Sequence, residues 1–306
     1  MVDYEEELMG KVAWYYYMQD MTQQGISELL GISRMRVVKL LDKARKSGVI
    51  QFKIRQESVS RIDVERALAA KYNLNDVFVV PVSASDDIND SIAKAASMYI
   101  SDRLPDNGFI NIGYGDTPGK LLNYLASSTD RTISCVSLTG GVNYYLPNTQ
   151  SGIFRAKLYL IPAPLLASTK HLAECTRDEP AVQEIVRMVN LSNLTVVGIG
   201  SMSDEATIVK SNILTKNDFL YLRMQGAVGD ILSHFIDANG QLVDAAFDER
   251  MISTPLETLK ELKNVIGVAG GKDKIESIRA VLNGQYLDVL ITDEITAAAL
   301  LEDPVI

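Results

Sequence analysis

The stretch Phe109-Ile110-Asn111-Ile112-Gly113-Tyr114-Gly115-Asp116-Thr117-Pro118-Gly119-Lys120-Leu121-Leu122 decides the fold of the larger part of the chain. A short apolar, β-forming run enters a glycine-rich loop, and a helical pattern follows over Lys120–Ala126. Strand, glycine turn and helix in that order are the repeating unit of an α/β fold. Glycines let backbone N–H groups approach an anion, and the start of the next helix adds a positive partial charge. Gly113-x-Gly115 is not a dinucleotide fingerprint, because Pro118 stands where the third glycine belongs, and the chain has no Walker A sequence.

Outward from this unit the same pattern recurs. Apolar runs at Val77–Val80, Ile133–Leu138, Leu158–Ile161, Leu194–Val197, Val265–Val268 and Val289–Ile291 read as further strands. Helical segments fall between most of them, around Ile92–Leu104, Ala181–Asn190, Ile275–Leu282 and Thr296–Leu301. Near-continuous apolar strands alternating with helices predict a mostly parallel, Rossmann-like sheet covered on both faces. Ligands of such sheets bind beyond the carboxyl ends of the strands. The turns there are Thr139-Gly140-Gly141, the rigid corner Pro162-Ala163-Pro164, Gly198-Ile199-Gly200-Ser201 and Ala269-Gly270-Gly271-Lys272-Asp273-Lys274. Four glycine turns with lysine close by predict a site for a small molecule bearing phosphate. Its candidate residues are Gly113, Tyr114, Gly115, Asp116, Thr117, Thr139, Gly140, Gly141, Pro164, Gly200, Asp230 and Lys274. Asp230, in Gly226-Ala227-Val228-Gly229-Asp230-Ile231, is placed at a loop-to-helix boundary, either accepting from sugar hydroxyls or capping a helix. Lys274 either neutralises phosphate or sits solvated at a helix start.

The first 56 residues follow a different logic. A helix is expected from Asp3 to Gln19, with Leu8, Val12, Tyr15 and Tyr16 near one face. Thr22 can cap a short second helix whose apolar positions are Ile26, Leu29 and Leu30, and Gly31 can take the left-handed conformation that ends it. Ser33 can cap a third, with Val37, Leu40, Leu41 and Ala44 at helical spacing. Two short helices around a glycine turn, the second rich in arginine, read as a helix-turn-helix. Val49–Ile54 reads as an added strand, which makes the module winged and brings Lys53 and Arg55 beside it. Residues 57–306, opened by an amphipathic helix over Ile62–Tyr72, form the second domain.

Charge supports that division. The net charge is −9, yet Arg34 to Arg55 carries eight basic residues against one acid, Asp42. That segment is +7 and the remainder −16. A short cationic block on an anionic body is the footprint of a nucleic-acid-reading head on a domain with another task. The expected DNA contacts are Arg34, Met35, Arg36 and Lys39 on the recognition helix, with Lys43, Arg45 and Lys46 as phosphate anchors and Thr22, Gln23 and Ser33 at the helix starts.

Length, 306 residues, and composition, 47% hydrophobic and 23% charged, fit an ordinary globular chain of two domains. No apolar run reaches the ~20 residues of a membrane span. The acidic start Met1-Val2-Asp3-Tyr4-Glu5 does not read as a signal peptide. Cys135 and Cys175 lie in no CxxC, which suits a reducing cytoplasm. His171 and His234 fall in no metal-ligand spacing, so no metal is expected. His234, placed in an apolar helix, reads as a packed, hydrogen-bonded side chain. No nucleophile elbow is visible. Asp237-Ala238-Asn239-Gly240 reads as a hairpin turn.

These motifs, in order and over nearly the whole chain, resemble the SorC family of sugar-binding bacterial transcription regulators. The resemblance is carried by Ala13-Trp14-Tyr15-Tyr16, Met21-Thr22-Gln23-Gln24-Gly25-Ile26, Gly113-Tyr114-Gly115-Asp116-Thr117, Thr139-Gly140-Gly141, Ile161-Pro162-Ala163-Pro164 and Gly226-Ala227-Val228-Gly229-Asp230-Ile231. Phe235-Ile236-Asp237-Ala238-Asn239-Gly240, Gly267-Val268-Ala269-Gly270-Gly271 and Thr292-Asp293 complete it. It is greatest to the branch holding the autoinducer-2 operon repressor and the regulators of sugar, polyol and deoxyribonucleoside operons. The chain departs from the pattern at Pro118-Gly119 and at Leu165-Leu166. The resemblance implies a winged helix-turn-helix and an effector domain with the fold of sugar-phosphate isomerases and glucosamine-6-phosphate deaminases. It also implies a homotetramer on paired operators, with no cofactor beyond a phosphorylated sugar or polyol effector that alters DNA affinity. In the family, the positions matching Gly115–Thr117 and Thr139–Gly141 surround the ligand, the one matching Asp230 takes hydroxyls and the one matching Lys274 lies near phosphate. A sugar-phosphate isomerase or deaminase, with Asp116 and Asp230 as acid and base, is the competing expectation. It leaves the helix-turn-helix without purpose, and fold alone does not settle function.

Overall fold

All seven runs read as strands meet in one sheet in the computed structural model, which describes residues 4–50, 56–82, 87–105, 108–128, 132–141 and 156–302. The chain divides into two units, Met1–Val59 and Ser60–Ile306.

The first unit holds α1 (Tyr4–Met18), α2 (Gln23–Leu30) and α3 (Arg34–Lys46). The caps form as the residue types dictate. Thr22 Oγ1 accepts from the N–H of Gly25 at 3.1 Å, and Ser33 Oγ accepts from that of Arg36 at 3.2 Å. Gly31, at φ 63°, closes α2. Val37, Leu40, Leu41 and Ala44 pack on Leu8, Met9, Val12, Ala13 and Ile26. Burying each larger side chain stabilises by roughly 2 kcal/mol. Tyr15 and Tyr16 pack at the edge of this core, whereas Leu29, expected inside, is exposed. The eight-residue α2 buries only Ile26, so its neighbouring turn faces water. Val49 and Ile50 lie in a bend, and the rest of the expected wing, with Lys53 and Arg55, lies outside the described residues.

The second unit opens with α4 (Gln56–Tyr72), which begins within the first. It continues β1 (Asp76–Val80), α5 (Ile88–Ser101), β2 (Phe109–Ile112), α6 (Asp116–Ser128), β3 (Ile133–Ser137) and β4 (Ala156–Tyr159). Then come α7 (Lys170–Asp178), α8 (Pro180–Val189), β5 (Leu194–Val197), β6 (Ile199–Ser201), α9 (Thr207–Lys210), α10 (Lys216–Met224), β7 (Gly229–Ile231) and β8 (His234–Ile236). The chain closes with α11 (Ala245–Asp248), α12 (Leu256–Glu261), β9 (Val265–Val268), α13 (Ile275–Asn283), β10 (Val289–Asp293) and α14 (Glu294–Leu301).

The sheet is parallel throughout, in the order β1-β10-β9-β5-β2-β3-β4. Alternate residues bury to opposite faces, as the period of a strand requires. Ile110, Ile112, Val196, Ile266 and Ile291 pack under α5 and α6, while Val197, Val265 and Leu290 pack against α13 and α14. From β2 the chain winds one way to β4, returns to β5 beside β2, then winds the other way to β10. The strand order therefore reverses between β2 and β5, where an open α/β sheet leaves a crevice.

Three differences from the sequence expectation matter. The fourth strand is Ala156–Tyr159 rather than Leu158–Ile161. Asp230 is not at a helix start but on β7, and His234 is not in a helix but on β8; the two strands form a hairpin that pairs with β6. The turn between them uses Leu232 and Ser233, both at positive φ (53° and 67°). Such turns favour Asn-Gly, so nothing in the residue types announced it. Asp237–Gly240 does form the expected hairpin turn, with Gly240 at φ 79° and its N–H on the carbonyl of Asp237 at 2.9 Å.

Candidate functional site

At the crevice between β2 and β5 the loops after these strands enclose a cleft of about 160 Å³. Tyr114, Gly115, Asp116 and Thr117 line it from the β2 side, and Gly198, Ile199, Gly200 and Ser201 from the β5 side. Asp230 reaches it from β7, and Asp273 and Lys274 from the turn after β9. Seven of the expected site residues thus come together: Tyr114, Gly115, Asp116, Thr117, Gly200, Asp230 and Lys274.

Each arrives for a local reason. Gly115, at φ 145°, turns the chain so that α6 begins at Asp116 with its first-turn N–H groups at the cleft. Asp116 opposes an anion there, and its charge is offset in part. Lys120 lies 3.1 Å from it and 2.7 Å from Asp87, and Asn89 Nδ2 donates to it at 3.0 Å. Gly200 stands opposite Asp230 across β6 and β7, and a Cβ at position 200 would collide with that carboxylate. The Asp230 carboxyl accepts the N–H of Ser233 at 3.1 Å, inside the hairpin turn. Burial pushes it up to about 6, against the pull of that N–H, of Lys274 and of His234. Lys274 is half-buried, and burial pulls its ammonium down from the usual lysine range against the pull of Asp273 and Asp230. A desolvated carboxyl and a desolvated ammonium facing one cleft are each short of partners, and a ligand with hydroxyls and an anion would supply both.

The other expected residues lie elsewhere. The N–H of Gly113 is bonded to the carbonyl of Val196 at 2.8 Å, and its missing side chain makes room for Leu232 of the hairpin. Thr139, Gly140 and Gly141 are buried. The N–H of Gly140 goes to Ile252 O and that of Gly141 to Ala163 O, each at 2.8 Å, and Gly140 packs on the backbone of Pro164. These amides tie the turn after β3 to Ile252 and to the Pro-Ala-Pro corner and do not line the cleft. Sequence reasoning passed over Asn89, Ser203, Glu205, Thr207 and Asp273, which do line it. Asp273 sits beside Lys274 in a loop already singled out. Glu205 and Thr207 fall in a segment with no periodicity to mark it.

His234 is held on both ring nitrogens, by Asp248 Oδ1 at 2.6 Å and Thr254 O at 2.9 Å, as a packed histidine. Among the described residues no group of three or more His, Cys, Asp or Glu is placed to hold a metal, and no helix is long and apolar enough to cross a membrane. Cys135 is buried, with its thiol pushed up to about 12 by desolvation, and Cys175 is exposed.

In the first unit, α3 turns Val37, Leu40 and Leu41 inward and leaves Ser33, Arg34, Met35, Arg36 and Lys39 exposed. Arg34, Arg36 and Lys39 form no ion pair among the described residues. Lys43 pairs with Glu5 at 3.0 Å, and Arg45 and Lys46 share Asp42 at 3.2 and 2.7 Å. Exposed pairs of this kind are worth ~0–1 kcal/mol and can be exchanged for phosphate. Thr22 is exposed and Gln23 half-buried at the start of α2.

Comparison with known proteins agrees with both units. A family model for sugar-binding domains matches residues 56–302. The transcriptional regulator LsrR of Escherichia coli O139:H28 is 34% identical over 301 residues, spanning 97% of this chain and 95% of that protein. LsrR of Enterobacter sp. strain 638 is 32% identical over 301 residues, 97% of this chain and 93% of its own. The full-length sorbitol operon regulator SorC from Klebsiella pneumoniae superposes with a TM-score of 0.69 at 25% identity, covering 98% of this chain and 100% of that one. A transcriptional regulator from Streptococcus pneumoniae TIGR4 gives 0.70 at 25% identity over 80% of this chain and 98% of that one. An exposed arginine-bearing helix and a cleft at the strand-order reversal therefore sit in a chain that belongs to the SorC family of sugar-binding transcriptional regulators.

Proposed function

We propose that this regulator controls a carbohydrate-utilisation operon and that a phosphorylated sugar or polyol, held in the cleft beyond β2 and β5, sets its affinity for operator DNA. The observation that carries the proposal is the convergence of the α6 N-terminus, Lys274 and Asp230 on one cleft. Phosphate goes to the N–H groups at Asp116 and Thr117 and to Lys274, where the helix end and the ammonium favour negative charge. Hydroxyls go to Asp230, whose buried carboxyl gains donors it lacks. The protein binds its ligand without turning it over, and no cofactor takes part.

On the DNA side α3 enters the major groove. Arg36 is suited to pair bidentately with guanine, with Arg34, Met35 and Lys39 as further base or phosphate contacts. Lys43, Arg45 and Lys46 exchange their surface acids for phosphates, and Thr22, Gln23 and Ser33 bring helix starts to the backbone. The chain acts in the cytoplasm as a homotetrameric repressor with a winged reading head, as its family resemblance implies. Effector and operator communicate only through unequal affinities for two conformations, a coupling of typically ~1–3 kcal/mol.

Thermal unfolding against a panel of phosphorylated sugars and polyols tests the ligand class. A ligand that binds the native state alone raises the melting temperature with its concentration. The matching compound is expected to do so while its unphosphorylated form does not. A panel that leaves the melting temperature unchanged contradicts the proposal.

A further inference from the structure

The pair Thr292-Asp293 belongs to the ordered motifs of the chain, yet it lies outside the cleft and the functional account gives it no role. Asp293 ends β10, in register with Val80 of β1, and is fully buried. Its carboxylate divides its two oxygens between two tasks. Oδ1 accepts the N–H groups of Ile295 and Thr296, both at 3.0 Å, and so caps α14. Oδ2 accepts the N–H of Gly271 at 2.9 Å and the hydroxyl of Thr296. The Gly271 N–H also lies 2.9 Å from Thr296 Oγ1.

Gly271 is the hinge from which the cleft's lysine hangs. Its φ of 103° is one that side chains rarely adopt, and its carbonyl accepts the N–H of Lys274 at 3.0 Å, closing a single tight turn. Next to it, Gly270 has no room for a Cβ, because the Asp293 carboxylate and Ile92 Cδ1 occupy that space. The turn is thereby locked at both ends. On the cleft side Asp273 accepts from Ser201 Oγ at 3.2 Å, and on the sheet side Asp293 holds the Gly271 amide. The side chain of Lys274 then leaves the turn into the cleft.

We infer that Asp293 is a positioning residue for effector binding, fixing Lys274 against the ligand's phosphate through the amide of Gly271. The inference rests on the proposed phosphate role of Lys274 and extends it to a residue that never touches the ligand. Asp293→Asn separates the two tasks. The amide oxygen can still cap α14, while an NH₂ group takes the place of Oδ2 and sets donor against donor at Gly271. Burial leaves that mismatch without water to relieve it.

The test is a double-mutant cycle on the full chain, with inorganic phosphate as the probe and its dissociation constant read from phosphate-dependent melting. Lys274→Met and Asp293→Asn are each expected to weaken phosphate binding about tenfold, and the double variant is expected to bind no more weakly than Lys274→Met alone. Such non-additivity separates positioning from a merely structural role, which would weaken binding in both backgrounds by the same factor. Asp293→Asn binding phosphate as tightly as the parent, or the two losses multiplying, overturns the inference and leaves the phosphate site standing if Lys274→Met alone is weakened. Unweakened binding by Lys274→Met overturns both. Thr296→Val removes the other acceptor beside the Gly271 amide and keeps the Asp293 carboxylate. Its milder loss, again absent in the Lys274→Met background, supplies the result if Asp293→Asn does not fold; an undiminished affinity in that variant counts against the inference.

Discussion

Asp230 is half-buried, donors to it are few, and desolvation holds it up at about 6 when a free aspartate titrates near 3.8. The folded chain therefore binds this proton more tightly than the unfolded one. Its contribution to stability is complete below about pH 4 and is lost as pH rises through about 6. Replacing Asp230 with Asn removes the titration and keeps an acceptor for the Ser233 N–H. The variant is expected to be more stable than the parent at about pH 8 by roughly 2 kcal/mol, with the gain vanishing near pH 4. Urea unfolding at the two pH values checks it, and equal stability at both contradicts the assigned burial. The same variant is expected to bind a sugar phosphate more weakly above about pH 6, since an uncharged amide accepts hydroxyl protons less strongly.

At the scale of elements, how much the sequence revealed depended on how local the cause was. Thr22, Gly31 and Ser33 act within one turn of themselves, so the reading helix was legible to its caps. Val37, Leu40, Leu41 and Ala44 bury as their spacing requires. Six strands of the parallel sheet were legible because their runs are largely apolar and mostly buried, whereas the edge strand β4, with Lys157 exposed, begins two residues before the apolar run that marked it. The β7–β8 hairpin was not legible. Its strands are three residues long, and Leu232 and Ser233 carry positive φ without being Asn or Gly. Their strain is held by Asp230 on the Ser233 N–H, within the turn, and by Ser253 Oγ on Leu232 O at 2.8 Å, a contact 21 residues distant that no local pattern encodes. The site was half legible for the same reason. Glycine turns marked strand ends, but only the reversal of strand order between β2 and β5 selects which turns share a cleft. On α3 the exposed cations divide by partner. Arg36→Ala is expected to relax discrimination between operator and altered operator by ~1–3 kcal/mol. Lys46→Ala, which loses one phosphate contact, is expected to weaken all DNA alike and lower the salt slope by about one. Competition gel shifts at several salt concentrations distinguish them, and identical behaviour of the two variants contradicts the division of roles.

For the whole molecule, the essential feature is a cationic segment in the first unit joined to an acidic second unit with a separate task. A +7 segment lies in a chain of net charge −9, and its Arg34, Arg36 and Lys39, with no ion pair among the described residues, face solvent on one helix. The acidic unit keeps a lysine and a helix start at a cleft where Asp116 shares Lys120 with Asp87 and Asp230 is held up at about 6. Regulation requires that occupying the cleft change the affinity of the head for DNA. The direct measurement is a fluorescence anisotropy titration of labelled operator DNA with the 306-residue chain. It is made with and without a saturating amount of the phosphorylated sugar that raises the melting temperature most. The account predicts that the operator dissociation constant shifts by roughly fivefold to a hundredfold, the range of a typical coupling free energy. An operator affinity that stays the same while the sugar phosphate is demonstrably bound would contradict it.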